Sequence, residues 1–216
     1  MPTTLRRNRT ATWVLVALAG VVALTGCDPV TRGHVDAISV RKTGSTLTVT
    51  AHNETVSPPR DQETDSLLYV ADRDAIGRVP SDPAYRFLGE PGSRIWVLPQ
   101  VENPSLPWIG WDTVGIPTGF LQQNRIRLRL LAVEGPGPVA VYTVSALGVP
   151  AVIFNSDDGL PDTRVVPVGT HQHANWAFRS PGLYHLRMEV TATFAATGTP
   201  FRRQFSLWFQ ATEEDR

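Results

Sequence analysis

Two histidines near the C-terminal end of the chain, His171 and His173, are separated by one residue and followed closely by Asn175 and Trp176. If this stretch is an extended strand, side chains at positions i and i+2 point to the same face. The two imidazoles would then lie side by side, in a geometry that chelates a metal ion. A protein metal site usually has three or four protein ligands, so this pair needs partners from elsewhere in the chain.

The chain offers such partners in His34 and His52, with Asp36 or Glu54 as a further ligand. Imidazole nitrogens suit a divalent transition metal, and zinc is favoured among these metals. The alternative is that the His-x-His pair bonds to backbone groups and only positions Trp176. Under that alternative, the two other histidines are ordinary surface residues of their strands.

Two further groups of residues suggest binding, and each has a simpler structural interpretation. A carboxylate-rich turn could bind calcium, although its spacing is not that of an EF-hand and suits an ordinary turn. A set of tryptophans could stack on a glycan, although large rings in a small sandwich are more often buried. The turn contains Asp157, Asp158 and Asp162, and the tryptophans are Trp96, Trp108, Trp111 and Trp176.

Catalytic motifs are missing from the sequence. It contains no Gly-x-Ser-x-Gly and no His-Glu-x-x-His, and its single cysteine is assigned below to another use. We therefore expect a protein that is not an enzyme. The 20 basic and 20 acidic residues give no net charge, which argues against nucleic acid as a partner.

The N-terminal segment predicts export and a lipid anchor. Arg6, Arg7 and Arg9 precede an uncharged run, residues 11–24, that is too short to span a bilayer. The run ends in Leu24-Thr25-Gly26-Cys27, which is similar to a bacterial lipobox. We predict a signal peptide over residues 1–26 and lipid attachment at Cys27. The protein would then be held on the outer face of the cytoplasmic membrane.

The exported part is expected to be all-β, because 18 prolines and 17 glycines punctuate short runs of Val, Thr, Leu and Phe. We predict a tether over residues 27–33, one sandwich domain over residues 34–210 and a polar tail over residues 211–216. Within the domain, residues 53–64 are predicted as a loop. Residues 99–120 are predicted as a long connection pinned to the body by tryptophans.

The clearest strand signal begins at Tyr184, after Pro181-Gly182. From there, apolar and polar residues alternate through Phe194, and a hairpin returns the chain through Phe205 to Phe209. A tyrosine at such a corner is typical of immunoglobulin-like and PKD-like sandwiches. We therefore predict an antiparallel β-sandwich of this type, in which Asn175, Trp176 and Tyr184 have architectural roles.

A series of short motifs in chain order resembles the actinobacterial surface-anchored repeat domain, also called the choice-of-anchor M domain. The resemblance covers roughly residues 33–210. The motifs are Gly33-His34-Val35-Asp36, Phe87-Leu88-Gly89, residues 96–100, Gly110-Trp111, residues 133–137, residues 158–162 and His171-x-His173-x-Asn175-Trp176-x-Phe178.

This resemblance implies a surface-anchored domain without enzyme activity, often encoded beside metal-type ABC transporters. The expected function is an accessory metal-binding lipoprotein that passes an ion to the transporter's substrate-binding protein. Many relatives have a second histidine-rich segment, where this chain has His52 alone. The competing expectation is a structural or adhesive cell-wall module that binds glycan or a protein partner without metal.

Overall fold

The computed structural model describes residues 26–214, so the predicted signal peptide, residues 1–26, lies outside them except for Gly26. The described chain consists of strands joined by turns and short 3₁₀ helices. The strands are β1 (Asp28–Val30), β2 (Gly33–Thr43), β3 (Thr46–Asn53), β4 (Arg60–Gln62), β5 (Leu67–Ala71), β6 (Ile76–Arg78), β7 (Arg94–Leu98), β8 (Pro107–Asp112), β9 (Arg125–Glu134), β10 (Val139–Val144), β11 (Pro150–Asn155), β12 (Asp162–Pro167), β13 (His171–His173), β14 (Asn175–Phe178), β15 (Gly182–Thr193) and β16 (Pro200–Ala211). The 3₁₀ helices are Thr64–Ser66, Arg73–Ala75, Pro83–Leu88 and Gln122–Asn124.

These strands form three sheets. Sheet A has the order β1-β5-β16-β15-β9-β12, sheet B the order β13-β8-β2-β3-β4, and sheet C the order β11-β10-β14-β7-β6. Most neighbouring strands are antiparallel, whereas the pairs β1–β5, β5–β16 and β2–β8 are parallel. The predicted all-β sandwich is confirmed, with parallel pairs inside its largely antiparallel sheets.

The three sheets share one hydrophobic core, to which each contributes its inward-facing residues. Alternation along β15 and β16 places one side of this long hairpin in the core, as the sequence pattern predicts. The fully buried residues include Tyr184, Leu186, Met188, Leu207 and Phe209 from sheet A, Val35, Ile109 and Trp111 from sheet B, and Trp96, Val141 and Trp176 from sheet C.

The prediction of a long connection over residues 99–120 is wrong, because this segment contains β8. Strand β8 alternates in the manner of a half-buried strand, with Ile109 and Trp111 in the core. It lies between β2 and β13 in sheet B. The prolines and glycines near this segment limit the length of the strand, but they do not prevent a strand from forming. Strand β8 is central to the site described below.

Two other segments are more ordered than predicted. The predicted tether, residues 27–33, includes β1, which pairs with β5 and buries Val30. The predicted loop, residues 53–64, includes β4 at one edge of sheet B. At the other end of the chain, Ala211 belongs to β16 and is buried, although it was predicted as the start of the tail.

The segment after the histidine pair has the contacts of a structural corner. The Tyr184 hydroxyl donates a hydrogen bond of 2.7 Å to the Ser180 carbonyl, four residues earlier, and burial raises its pKa to about 12. Asn175 accepts a bond of 2.9 Å from the backbone N–H of Gln100, and Trp176 is fully buried against Phe209.

Among the described residues, no helix is long and apolar enough to cross a membrane.

Candidate metal centre

One row of residues runs across all five strands of sheet B and contains three of the candidate ligands, His173, Asp36 and His52. Paired residues in neighbouring strands project from the same face of a sheet. In register, the row is His173 on β13, Gly110 on β8, Asp36 on β2, His52 on β3 and Asp61 on β4. Polar groups from both ends of the chain thus meet on one face of this sheet.

Residues two positions away on the same strands extend this face. His34 pairs with Trp108, and His171 pairs with Asp112. Because the side-chain period of a strand is two, these residues share the face of the central row. Gly110 therefore lies in the middle of a ring of polar and aromatic side chains.

Four side chains converge in front of Gly110, and we call them the histidine cluster: His34, Asp36, His171 and His173. Their ligand atoms all lie within 4.8 Å of one another. The Nε2 atom of His173 is 3.2 Å from Nε2 of His34 and 3.3 Å from Nε2 of His171. The Asp36 Oδ1 atom is 2.9 Å from Nε2 of His171 and 3.8 Å from Nε2 of His34.

These separations match the spacing of ligands around a tetrahedral metal ion. Zinc binds imidazole nitrogen at about 2.0–2.1 Å, so two ligands of a tetrahedral ion are about 3.3 Å apart. The two nitrogen–nitrogen distances equal this value closely, and the two distances to Asp36 lie on either side of it. Since the whole set lies within 4.8 Å, the four groups could hold a divalent metal ion once the wider pairs move closer together.

The contact between Glu54 and His34 fixes which ring nitrogen of His34 can act as a ligand. The His34 Nδ1 atom is 3.1 Å from a carboxylate oxygen of Glu54. An ionised carboxylate only accepts hydrogen bonds, so this contact assigns the ring proton to Nδ1. In a neutral His34 the Nε2 atom then presents a lone pair toward His173. This lone pair can accept a hydrogen bond from Nε2 of His173, or it can bind a metal ion at the same point.

Gly110 provides the space and His173 is fixed against it. A Cβ atom at Gly110 would lie 2.8 Å from the His173 ring and 2.8 Å from the Gln172 carbonyl, so a side chain would collide with both. On its other side the His173 ring stacks on Trp108, with centroids 3.9 Å apart and planes at 16°. The Trp108 indole is in turn held by a bond of 2.8 Å to the Gln100 carbonyl.

Burial disfavours charge on His173, and the neighbouring His34 and His171 add to this effect, so the His173 pKa falls to about 4. Its Nδ1 atom is buried without a well-aligned hydrogen bond, although the Ile109 backbone lies near enough to raise the pKa slightly. His173 is therefore a neutral imidazole at neutral pH, which is the form that binds metals.

Asp36 supplies the negative charge of the cluster. It is 3% exposed, and burial raises its pKa, an effect that the charges of His171 and His34 reduce and that of Asp112 increases. Its Oδ1 atom is close to His171 but makes no well-oriented hydrogen bond. A buried carboxylate oxygen in this state costs free energy that a bound cation would recover.

His52, predicted as a possible ligand, does not belong to the histidine cluster. Its Nδ1 atom is 2.6 Å from Asp61, and its Nε2 atom is 3.7 Å from Glu54. It lies one strand beyond Asp36, and its ring turns toward the sheet edge. His52 and Glu54 therefore lie outside the cluster, and Glu54 orients the His34 ring. Asp36 takes the fourth ligand position instead of His52.

The alternative binding groups do not assemble. Trp96, Trp111 and Trp176 are in the core, so they offer no platform for a glycan, and Trp108 is engaged by His173. In the carboxylate-rich turn, Asp157 pairs with Arg179 at 2.6 Å, and Asp162 accepts a bond from the Asn155 backbone. These two carboxylates therefore serve the turn itself.

Sequence reasoning missed Trp108, Gly110 and Asp112, which surround the cluster on β8. Their spacing of two, alternating with buried Ile109 and Trp111, is the signal that could have identified this strand. Asp112 is buried and held by Arg41, whose Nη2 atom is 3.1 Å from Oδ2. Asp61 was also missed, because β4 was predicted as a loop.

Comparisons with known proteins add little to this site. No protein-family model matches the chain, and no curated protein matches it. Among solved structures, the chain is similar to the ASH/PapD-like domain of human CEP192 (PapD-like domain 7), with 16% identity and a TM-score of 0.21. That match covers 43% of this chain and 66% of the other. At this level it carries no functional argument.

Proposed function

We propose that this chain is a non-catalytic metal-binding protein that holds one zinc ion in the histidine cluster. The observation that supports this most directly is the convergence of three Nε2 atoms and one carboxylate oxygen in front of a glycine. Three imidazoles and a carboxylate form a donor set that zinc accepts readily. The outer contact from Glu54 to His34 is typical of the carboxylate–histidine–metal arrangement.

The wider role rests on the sequence resemblance. The resemblance to the choice-of-anchor M domain implies a protein that acts beside a metal-type ABC transporter and passes the ion to its substrate-binding protein, and we propose this role here. Imidazole and carboxylate ligands without a thiolate suit a divalent transition metal such as zinc. The alternative of a structural or adhesive wall module without metal is the outcome expected if the cluster binds no ion.

The membrane anchor is a separate part of the proposal. Cys27 directly precedes β1, so a lipid on its sulfur would hold the β1 edge of sheet A close to the membrane. Burial raises the pKa of the Cys27 thiol, and Asp65 and Asp28 raise it further. We expect Cys27→Ser to abolish incorporation of labelled fatty acid, and labelling that persists in this variant would refute the anchor.

The experiment that tests metal binding uses the full-length chain purified in detergent and stripped with a chelator. Zinc is titrated against a competing dye, and bound metal is measured by mass spectrometry. We expect one zinc per chain, and none in the double variant His171→Ala with His173→Ala.

The matched control is His185→Ala, which also removes an imidazole. His185 stacks on Trp208 and contacts Ser206 on sheet A, away from the cluster. This variant should keep one zinc per chain. A wild-type chain without stoichiometric zinc, or a double variant with unchanged affinity, would refute the proposed site.

A further inference from the structure

The four groups of the histidine cluster differ strongly in their access to solvent. The exposed fraction of the side chain is 5% for Asp36, 17% for His34 and 45% for His171. A ligand that is replaced by a donor from another molecule must be reachable by that molecule. Exposure therefore ranks His171 first among these three as the ligand that exchanges.

His173 is held on both sides of its ring. Trp108 stacks on one face at 3.9 Å, and the backbone at Gly110 is too close for even a Cβ atom to fit between. Moving this ring away from the centre would separate it from Trp108 and disturb the packing. His173 is thus a fixed member of the cluster.

His34 and Asp36 are fixed by their position on β2, which is paired with β8 on one side and with β3 on the other. Glu54 contacts the Nδ1 atom of His34, on the side of the ring opposite to Nε2. An incoming donor on the Glu54 side would therefore meet the back of the His34 ring before it could reach the metal. This side of the cluster is closed by His34 itself.

His171 has none of these constraints. It begins β13, a strand of three residues at the edge of sheet B. The contacts of its side chain are with other members of the cluster, namely Asp36, His173 and the ring of His34. Its ring can therefore leave the cluster by rotation of the side chain, without movement of His173 on the same strand.

We propose that the metal enters and leaves at the His171 position, and that the acceptor is a molecule with a nitrogen or oxygen donor, the kinds of ligand atom that zinc accepts. This inference rests on the proposed function. In the exchange step a donor atom of the acceptor forms a bond to the ion while the bond from His171 Nε2 breaks. His34, Asp36 and His173 hold the ion during this substitution, and the oxidation state of the ion does not change.

The test follows zinc transfer from the loaded full-length chain to the chromogenic chelator 4-(2-pyridylazo)resorcinol in a stopped-flow instrument. For wild-type protein, we expect a transfer rate that rises with chelator concentration, as a direct substitution requires. His171→Ala should still bind one zinc per chain and release it about tenfold faster, since loss of one ligand appears mainly in the dissociation rate. His34→Ala and His173→Ala should lose stoichiometric zinc.

The outcomes separate this inference from the proposed function. A wild-type chain that binds no zinc refutes the proposed function and this inference with it. If wild type binds zinc, loss of zinc in His171→Ala as complete as in His173→Ala overturns the exchange role alone. A transfer rate unchanged in His171→Ala, or independent of chelator concentration in wild type, overturns it as well. Circular dichroism checks that each variant is folded.

Discussion

Two polar clusters lie on the faces of different sheets, and they satisfy their charges in opposite ways. On sheet A, Glu189 is covered by Arg129, Arg202 and Gln204, which we call the glutamate cluster. On sheet B, the histidine cluster brings three imidazoles and Asp36 together. Both contain a carboxylate that has almost no exposed surface. They differ in whether the protein itself supplies the partners of that carboxylate.

In the glutamate cluster the protein supplies every partner. Arg129 donates to Glu189 at 2.7 Å, Gln204 donates at 3.1 Å, and Arg202 donates as well. Burial alone would raise the pKa of Glu189, but these hydrogen bonds outweigh it and lower the pKa below the ordinary value. Arg202 is exposed and Arg129 is partly exposed, so these side chains cover Glu189 at the surface of sheet A.

In the histidine cluster the partners are incomplete. Burial dominates at Asp36 and raises its pKa, and its Oδ1 atom makes no well-oriented bond. The imidazole nitrogens face one another at distances suited to ligands of one ion. The comparison teaches that a buried carboxylate alone does not indicate a binding site. The informative feature is a group of ligand atoms that converge on one point and have mainly one another as partners there.

The largest expected effect separates the two clusters by metal binding. His173→Ala should lower zinc affinity by at least about 100-fold, because it removes a fixed ligand. Glu189→Gln should leave the zinc affinity within about twofold, because the two sites are independent. The same variant should lower the free energy of unfolding by about 1–2 kcal/mol, since a charged hydrogen-bond acceptor is lost. Competition titration and urea unfolding measure the two quantities.

A fall in zinc affinity in Glu189→Gln as large as that in His173→Ala would contradict the comparison. It would mean that zinc affinity follows the overall stability of the fold. The unfolding measurement on metal-free protein provides the control, because it records stability separately from binding.

The second effect concerns Asp36, for which binding and stability should change in opposite directions. Asp36→Asn should lower zinc affinity by about 100-fold, since it removes the anionic ligand. It should also raise the metal-free free energy of unfolding by about 1 kcal/mol, since a buried charge without full compensation is removed. Zinc titration and urea unfolding of the same preparation test both. Destabilisation of the metal-free protein would show that Asp36 is already satisfied.

A smaller effect is expected outside the cluster, at Glu54. Glu54→Gln weakens the contact that fixes the His34 tautomer and should lower zinc affinity by about tenfold. The matched variant Asp61→Asn changes a carboxylate that contacts His52 and should have less effect. Equal losses in the two variants would favour a general electrostatic effect over orientation of His34.

The last effect is a pH dependence of the stability of the metal-free protein. The His173 pKa is lowered from 6.5 to about 4, so below pH 6.5 the unfolded chain binds a proton that the folded chain excludes. This contribution to stability is complete above pH 6.5 and is lost as the pH falls toward 4. Asp36 acts in the opposite direction, because its pKa is raised in the folded state.

Urea unfolding at several values between pH 7 and pH 4.5 tests this dependence against His173→Gln, which has no titrating group at this position. The stability of wild type relative to the variant should decrease as the pH falls. A constant difference between the two proteins would mean that burial does not depress the pKa of His173.

Local patterns in the sequence predict much of this fold. Alternation along β15 and β16 gave the correct strands and the correct inward faces, because a half-buried strand repeats every two residues. The His171 and His173 spacing also predicted correctly that the pair would share a face. These features depend on neighbours in the chain, and the sequence contains them directly.

The partners of the histidine pair could not be predicted in the same way. Whether His34 and Asp36 or His52 would complete the cluster depends on the register of β2 against β8, a parallel pair distant in sequence. Prolines and glycines at the ends of β8 concealed the strand that joins the two halves of the cluster. Such long-range pairing is fixed by packing of the whole core, and local propensity gives no access to it.

The distance between the ligands along the chain has a consequence for folding. His34 and His173 are 139 residues apart in sequence, so most of the domain must assemble before a bound ion can connect them. An unfolded chain would offer the metal little more than the His171 and His173 pair. A ligand that binds only the folded chain stabilises it. The free energy of unfolding would therefore increase as the zinc concentration rises above the dissociation constant of the site. The ion would connect the first and last thirds of the chain, and it would do so only after the domain has folded.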